Sequence, residues 1–137
     1  MKTIERFIRI SGGMEALEEH PFHVYKPPFL PLWVRYAGTG PRDLPCVVVA
    51  QMIQHCGRDQ LESEITFEIK TLKDDTWCWC PVSFRQASPP FFHEGVGVID
   101  EGHAWHDDDL EAGIGVIASS WDEILVARGY MEIETLL

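Results

Sequence analysis

Between Phe29 and Gln86 the chain alternates four β-rich stretches with short polar segments dense in turn formers, and this spacing restricts the fold more than any other feature. Leu32 to Tyr36 reads as a strand, and Gly38-Thr39-Gly40-Pro41-Arg42-Asp43 as a loop. Cys46 to Gln54 reads as a longer strand. It opens with a continuous apolar run, as expected of a strand buried on both faces. HCGRDQLE reads as a connection, and Ile65 to Ile69 alternates, with Ile65, Phe67 and Ile69 on one face and Thr66 and Glu68 on the other. Lys73-Asp74-Asp75 is placed at a hairpin turn. Trp77 to Phe84 then puts Trp77 and Trp79 on one face and Cys78 and Cys80 on the opposite one, while Pro81 asks for an edge position or a bulge. The run FFHEGVGVID is read as one last strand, weakened by Gly95 and Gly97.

The ends of the chain read as helices. Over residues 2–10, Ile4, Phe7 and Ile8 share a helical face and the charged residues lie off it. Ser11-Gly12-Gly13 breaks that helix, and Ser11 or Gly13 starts a second short one, MEALEEH, which ends at Pro21. Asp107, Asp108 or Asp109 can cap a long C-terminal helix. Its apolar stripe runs through Leu110, Ile114, Ile117, Trp121, Ile124 and Leu125, with Gly129 placed as the C-terminal cap glycine. Small residues at Gly113 and Gly115 would let that helix lie close to a sheet. The expected fold class is α+β: an antiparallel meander sheet of about five strands, short N-terminal helices, and a long C-terminal helix packed on one face.

The 137 residues fit a single domain, 1–137, large enough to fold without metal or disulfide. No apolar run approaches the ~20 residues that span a bilayer, so no membrane partner is expected. The N-terminus, MKTIERFIRISGG, lacks the hydrophobic core of a signal peptide. A cytoplasmic location is therefore expected, with the four cysteines as reduced thiols. The net charge of −11, from 22 acidic and 11 basic residues, repels phosphates and argues against direct nucleic-acid binding.

Four strings carry a resemblance: GTGPRDLP (Gly38 to Pro45), AQMIQ…GRD…EITFEI (Ala50 to Ile69), PVSFRQ (Pro81 to Gln86) and W…I…RGY (Trp121 to Tyr130). Together they resemble, in this order, a family known only as a domain of unknown function and carried by bacterial plasmids, phages and other mobile elements. The family pattern has a His-Tyr pair and an Asn-Gly turn where this chain has Gln51-Met52 and Cys56-Gly57. The resemblance implies a mobile-element setting and brings no catalytic residues with it.

No complete catalytic or cofactor motif is present, and no cofactor is expected. GTGPRD lacks the Lys-Ser/Thr ending of a phosphate-binding loop and reads as a hairpin loop, with Arg42 available to pair with a carboxylate. Cys56 with His55 or His93 lacks the setting of a catalytic thiol, because neighbouring strand residues face opposite ways. Two metal arrangements come into view: zinc held by His55, Cys56, Cys78 and Cys80, and a divalent ion held by His103, His106 and the acids of HAWHDDD, read as an exposed loop. Buried free cysteine and helix-capping aspartate are the commoner fates of such residues.

The leading expectation is a non-enzyme acting by contact with a protein partner, in the narrower form an accessory that inhibits or modulates a host nuclease or DNA-defence complex. Its carboxylates would occupy a groove built for phosphates. The acids chosen are Asp107, Asp108, Asp109 and Glu111, with Glu15, Glu18 and Glu19 as a second group. A tryptophan left exposed beside such acids would mark the partner patch. The alternatives are a metal-binding protein or metal-dependent hydrolase, and a structural subunit of a phage or plasmid assembly.

Overall fold

The computed structural model describes residues 1–87, 89–100 and 103–133, with the side chains at 55, 98–100, 103 and 104 outside the described set. Helices α1 (Lys2–Ile10) and α2 (Met14–Glu19) come first. Strands β1 (Phe22–Val24), β2 (Leu32–Thr39), β3 (Pro45–His55), β4 (Arg58–Thr71), β5 (Trp77–Gln86) and β6 (Phe91–Glu94) follow. Next come β7 (Val96–Asp100), β8 (His103–His106), α3 (Asp108–Ala127) and a 3-10 turn at Tyr130–Glu132. The fold is α+β. Its main sheet has six strands, where about five were expected, in the order β1-β2-β3-β4-β5-β6, every neighbour antiparallel. No described helix is long and apolar enough to cross a membrane.

All three helices pack on one face of this sheet. Ile4, Phe7 and Ile8 of α1, Leu17 of α2, and Ile114, Ala118, Trp121 and Leu125 of α3 join Val34, Val47, Val49, Ile65 and Phe67 in one core. Cys46 through Ala50 are all buried, so the continuous apolar run does mark the strand enclosed on both faces. The N-terminus of α1 has no cap of its own. Asp122 of α3 supplies one by accepting from the Lys2 and Thr3 amides at 3.2 and 3.1 Å. At the other end, Arg9 donates to the Asp75 carbonyl and lies over the Trp77 ring, pinning α1 to the β4–β5 turn.

HCGRDQLE is no connection. β3 and β4 pair down to His55↔Arg58, and only Cys56 and Gly57 turn the chain. Both have left-handed φ, 53° and 77°, the backbone of a two-residue hairpin turn whose twist matches its strands. An Asn-Gly pair announces such a turn; Cys-Gly conceals it.

Pro81 sits at a bulge. Thr66 pairs with Ser83 and Phe67 with Pro81, which leaves Val82 as the extra residue. Because β6 pairs only with Ser83–Gln86, the first half of β5 is also an outer strand. Both positions allowed to proline are thus used at once.

The expected final strand, FFHEGVGVID, divides at Gly95. β6 completes the main sheet, while β7 leaves it to pair with β8 as a separate two-stranded ribbon. The Gly95 amide donates to the Val82 carbonyl, and the Gly95 carbonyl accepts from the Asp107 amide. A Cβ at Gly95 would lie 3.0 Å from the Glu111 backbone, so only glycine lets α3 start this close. HAWHDDD is accordingly a strand followed by a helix cap, rather than an exposed loop. Asp107 is that cap, its carboxylate accepting from the Leu110 amide at 3.0 Å. Gly129, with φ 80°, ends α3 as expected.

Candidate functional site

Three groups of chemically interesting side chains lie around the junction of β5, β6 and the start of α3. The first is an ion-pair chain. Glu68 alternates with Phe67 and Ile69 and so points to the face away from the helices, where its side chain is 0% exposed. Buried charge must be compensated. Glu68 accepts from Arg42 Nε at 2.7 Å, from the Arg42 amide at 2.8 Å and from the Leu44 amide at 3.4 Å. Arg42 also reaches Glu111 of α3 at 3.1 Å, and His106 Nδ1 lies 3.3 Å from the other Glu111 oxygen. Burial works against the Arg42 charge, but the hydrogen bonds it donates to Glu68 and Glu111, with their negative charge, outweigh it and hold the pKa above its ordinary value. GTGPRD therefore closes over a buried carboxylate. At Gly40 a Cβ would stand 2.5 Å from both Cys46 Sγ and Glu68 Cγ.

The second group is a surface. Gly113, Ile114, Ile117 and Leu110 of α3 face Phe84 and Phe91 across an apolar groove of about 170 Å³, with His93 and Asp109 also lining it. That is small beside the ~300–1,000 Å³ of typical small-molecule pockets; it suits a side chain better than a cofactor. Phe91 is 44% exposed and Phe92 52%. Phe91 packs against Phe84 on the helix side, while Phe92 lies under Arg85 on the other. Gly113 borders open space, so of the two α3 glycines only Gly115 approaches the sheet, 3.8 Å from Pro81.

The third group is the thiol pair of Cys78 and Cys80, whose sulfurs are 3.7 Å apart. Burial pushes the Cys80 thiol up to about 11, and its hydrogen bond with Cys78 adds to the rise.

The chosen acids divide by role. Asp107 is spent as a cap and Glu111 on Arg42 and His106. Asp108, Asp109, Glu15, Glu18 and Glu19 are exposed, with no ion pair among the described residues. The four zinc residues do not meet. Cys56 is in the turn before Arg58, whereas Cys78 pairs with Lys70. From position 58 to 70 the strand runs about 40 Å at ~3.3 Å per residue. The His55 and His103 side chains lie outside the described set. His106 does join Asp108 and Glu111, with one donor atom from each within 4.8 Å of the others.

No tryptophan is exposed. Trp121 is buried, Trp79 donates to Glu5, Trp33 stacks on His23, and Trp77 and Trp105 are half-buried. The exposed large aromatics are Tyr25, Phe91 and Phe92 instead, and of these Tyr25 is hydrogen-bonded to Asp59. Two consecutive phenylalanines in a strand necessarily face opposite ways, which was the available signal.

A family model described as a domain of unknown function, DUF6908, matches residues 2–131. The chain belongs to that family. The DUF6908 match takes in the three helices and eight strands described above, the Arg42 loop and the β6–α3 groove, and ends within the 3-10 turn at Tyr130–Glu132. No curated protein and no solved structure matches the chain.

Proposed function

We propose that this DUF6908 protein acts by binding a protein partner through the face made by β6 and the first turns of α3. The observation that carries the reading is the exposure of Phe91 on an outer strand, on the helix side of the sheet in the groove that Asp109 also lines, with Asp109 and its neighbour Asp108 exposed and making no ion pair among the described residues. Aromatic side chains supply binding energy at interface centres, and surrounding charge sets on-rate and selectivity. β6 ends the main sheet, so its outer edge offers backbone donors and acceptors to an added strand. The net charge of −11 favours a basic partner.

In its finer form, the partner is the phosphate-binding groove of a nuclease or DNA-defence complex, and the protein is a mobile-element accessory that blocks it. The fit is one of charge: Asp108 and Asp109 stand where phosphates would, with Phe91 as an anchor. The test is capture of the partner from a native host by wild type, D108K/D109K and E15K/E18K/E19K. The reading expects loss of the partner in the first variant only, with a weaker salt dependence in the milder D108N/D109N. Equal retention by all three would remove it.

A second reading, a metal-binding protein or metal-dependent hydrolase, draws on the convergence of His106, Asp108 and Glu111. Glu111 already serves Arg42, which weakens it as a ligand. Manganese or zinc that raises the melting temperature of wild type but not of H106A would favour this reading over the first.

A further inference from the structure

Cys78 and Cys80 occupy alternate positions of β5, so both project from the same face, away from Trp77 and Trp79. Among the described residues this part of β5 has no partner strand on its outer side, because β6 begins its pairing only at Ser83. Cys78 is exposed and Cys80 is half-buried. The sulfurs are in contact at 3.7 Å, with the Cys80 thiol directed at Cys78. None of the other features described above uses this pair.

Two thiols at this distance can form a disulfide or share a metal, and strand geometry separates the two. A disulfide needs the Cβ atoms within about 3.5–4.5 Å. Residues two apart along a strand are separated by two rises, about 6.6 Å, and their Cβ atoms run parallel. Closing the bond would require the strand to buckle beside the Pro81 bulge. A bridging ion spans the gap with the strand left as it is.

The choice of ion follows from ligand number. Zinc takes four ligands in a closed site. Among the described residues, the only convergent group of three His, Cys, Asp or Glu donors is His106, Asp108 and Glu111, which contains no sulfur. Among the described residues, no third protein ligand stands against the thiol pair. Soft thiolates select soft cations, and a monovalent d¹⁰ ion is satisfied by two.

We propose that Cys78 and Cys80 form a two-thiolate site for a soft monovalent cation of the Cu(I) class. On binding, each thiol releases one proton to solvent, two sulfur–metal bonds form, and no oxidation state changes. The resulting complex carries one negative charge. The Arg42 guanidinium lies within electrostatic reach of Cys80, as does the Glu111 carboxylate with which it pairs. Each thiol must lose its proton to bind the ion, so apparent affinity rises with pH.

The test is anaerobic titration of the reduced full chain with Cu(I) buffered by a chromogenic chelator, followed by native mass spectrometry. The expected result is one Cu(I) per chain, lost in C78S and in C80S and kept in C46S and C56S. It should appear with a thiolate-to-metal charge-transfer band in the ultraviolet. In wild type alone, bound Cu(I) should protect Cys78 and Cys80, and not Cys56, from alkylation, a readout that does not depend on variants folding. Failure of wild type to compete with the chelator, retention by C78S, or protection centred on Cys56 would each overturn the proposal. So would a spontaneous Cys78–Cys80 disulfide on mild oxidation with oxidised glutathione, which would show the strand closing as argued against above.

Discussion

The β2–β5 meander and the segment from Phe91 to Glu111 differ in how they spend their side chains. In the meander each strand pairs with its chain neighbour, apolar residues alternate into the core, and the one buried charge, Glu68, is answered by Arg42 and two amides. In the later segment a strand breaks at a glycine, a ribbon leaves the sheet, and two phenylalanines and two aspartates are left in solvent. Agreement between local pattern and global packing marks a scaffold. Conflict between them marks a place where something other than folding is served. Glu111 joins the two regions, because Arg42 of the meander holds it at the start of α3.

The sharpest way to break this contrast is to remove Arg42. In R42A the fully buried Glu68 keeps only amide donors, and such an orphaned charge costs about 3–5 kcal/mol. Urea unfolding should show that loss, with a milder one in R42K, which keeps charge but not the forked geometry. A loss below about 1 kcal/mol would mean that the loop is not fastened as described.

The buried thiol of Cys46 gives the next effect. Burial, with Glu68 adding to it, pushes its pKa from 9.0 up to about 11. The folded state therefore holds this proton more tightly than the unfolded state. The associated stability is present below pH 9 and is lost as pH rises towards 11, by about 2 kcal/mol. Unfolding at stepped pH should show the decline in wild type and a flatter curve in C46A. An identical slope in the two would contradict it.

A smaller gain is expected at the concealed hairpin. Cys56 has φ 53°, which asparagine tolerates better than cysteine. C56N should stabilise by about 0.5–1 kcal/mol, seen as a rise in melting temperature. Smallest of all should be the effect of F92S on folding, within about 0.5 kcal/mol, since Phe92 faces solvent on an outer strand. A much larger loss would make Phe92 part of the scaffold.

The sequence showed the scaffold more plainly than the site. The alternation of Ile65, Phe67 and Ile69, the apolar run at Cys46–Ala50 and the position of Pro81 each carry a local physical reason that survives folding. The division at Gly95 was hidden, because its cause is the Glu111 backbone, more than a dozen residues away. Glu111 looked like a free carboxylate for the same reason: its partner, Arg42, arrives only when the loop closes, whereas the capping role open to Asp107 was legible from its place before the helix. The tryptophans are all buried or half-buried, whereas Phe91 and Phe92 are exposed. Aromatic count says nothing of exposure; that depends on which strand ends the sheet.

The claim that β6 and the start of α3 form the working face can be tested most directly by placing a photo-crosslinking phenylalanine derivative at Phe91, on the helix side of β6, in one protein and at Glu18 in another, then irradiating each in its native host. The account predicts a discrete cross-linked partner from position 91, diminished when D108K/D109K is added, and none from position 18. A partner captured from position 18 and absent from position 91 would contradict it.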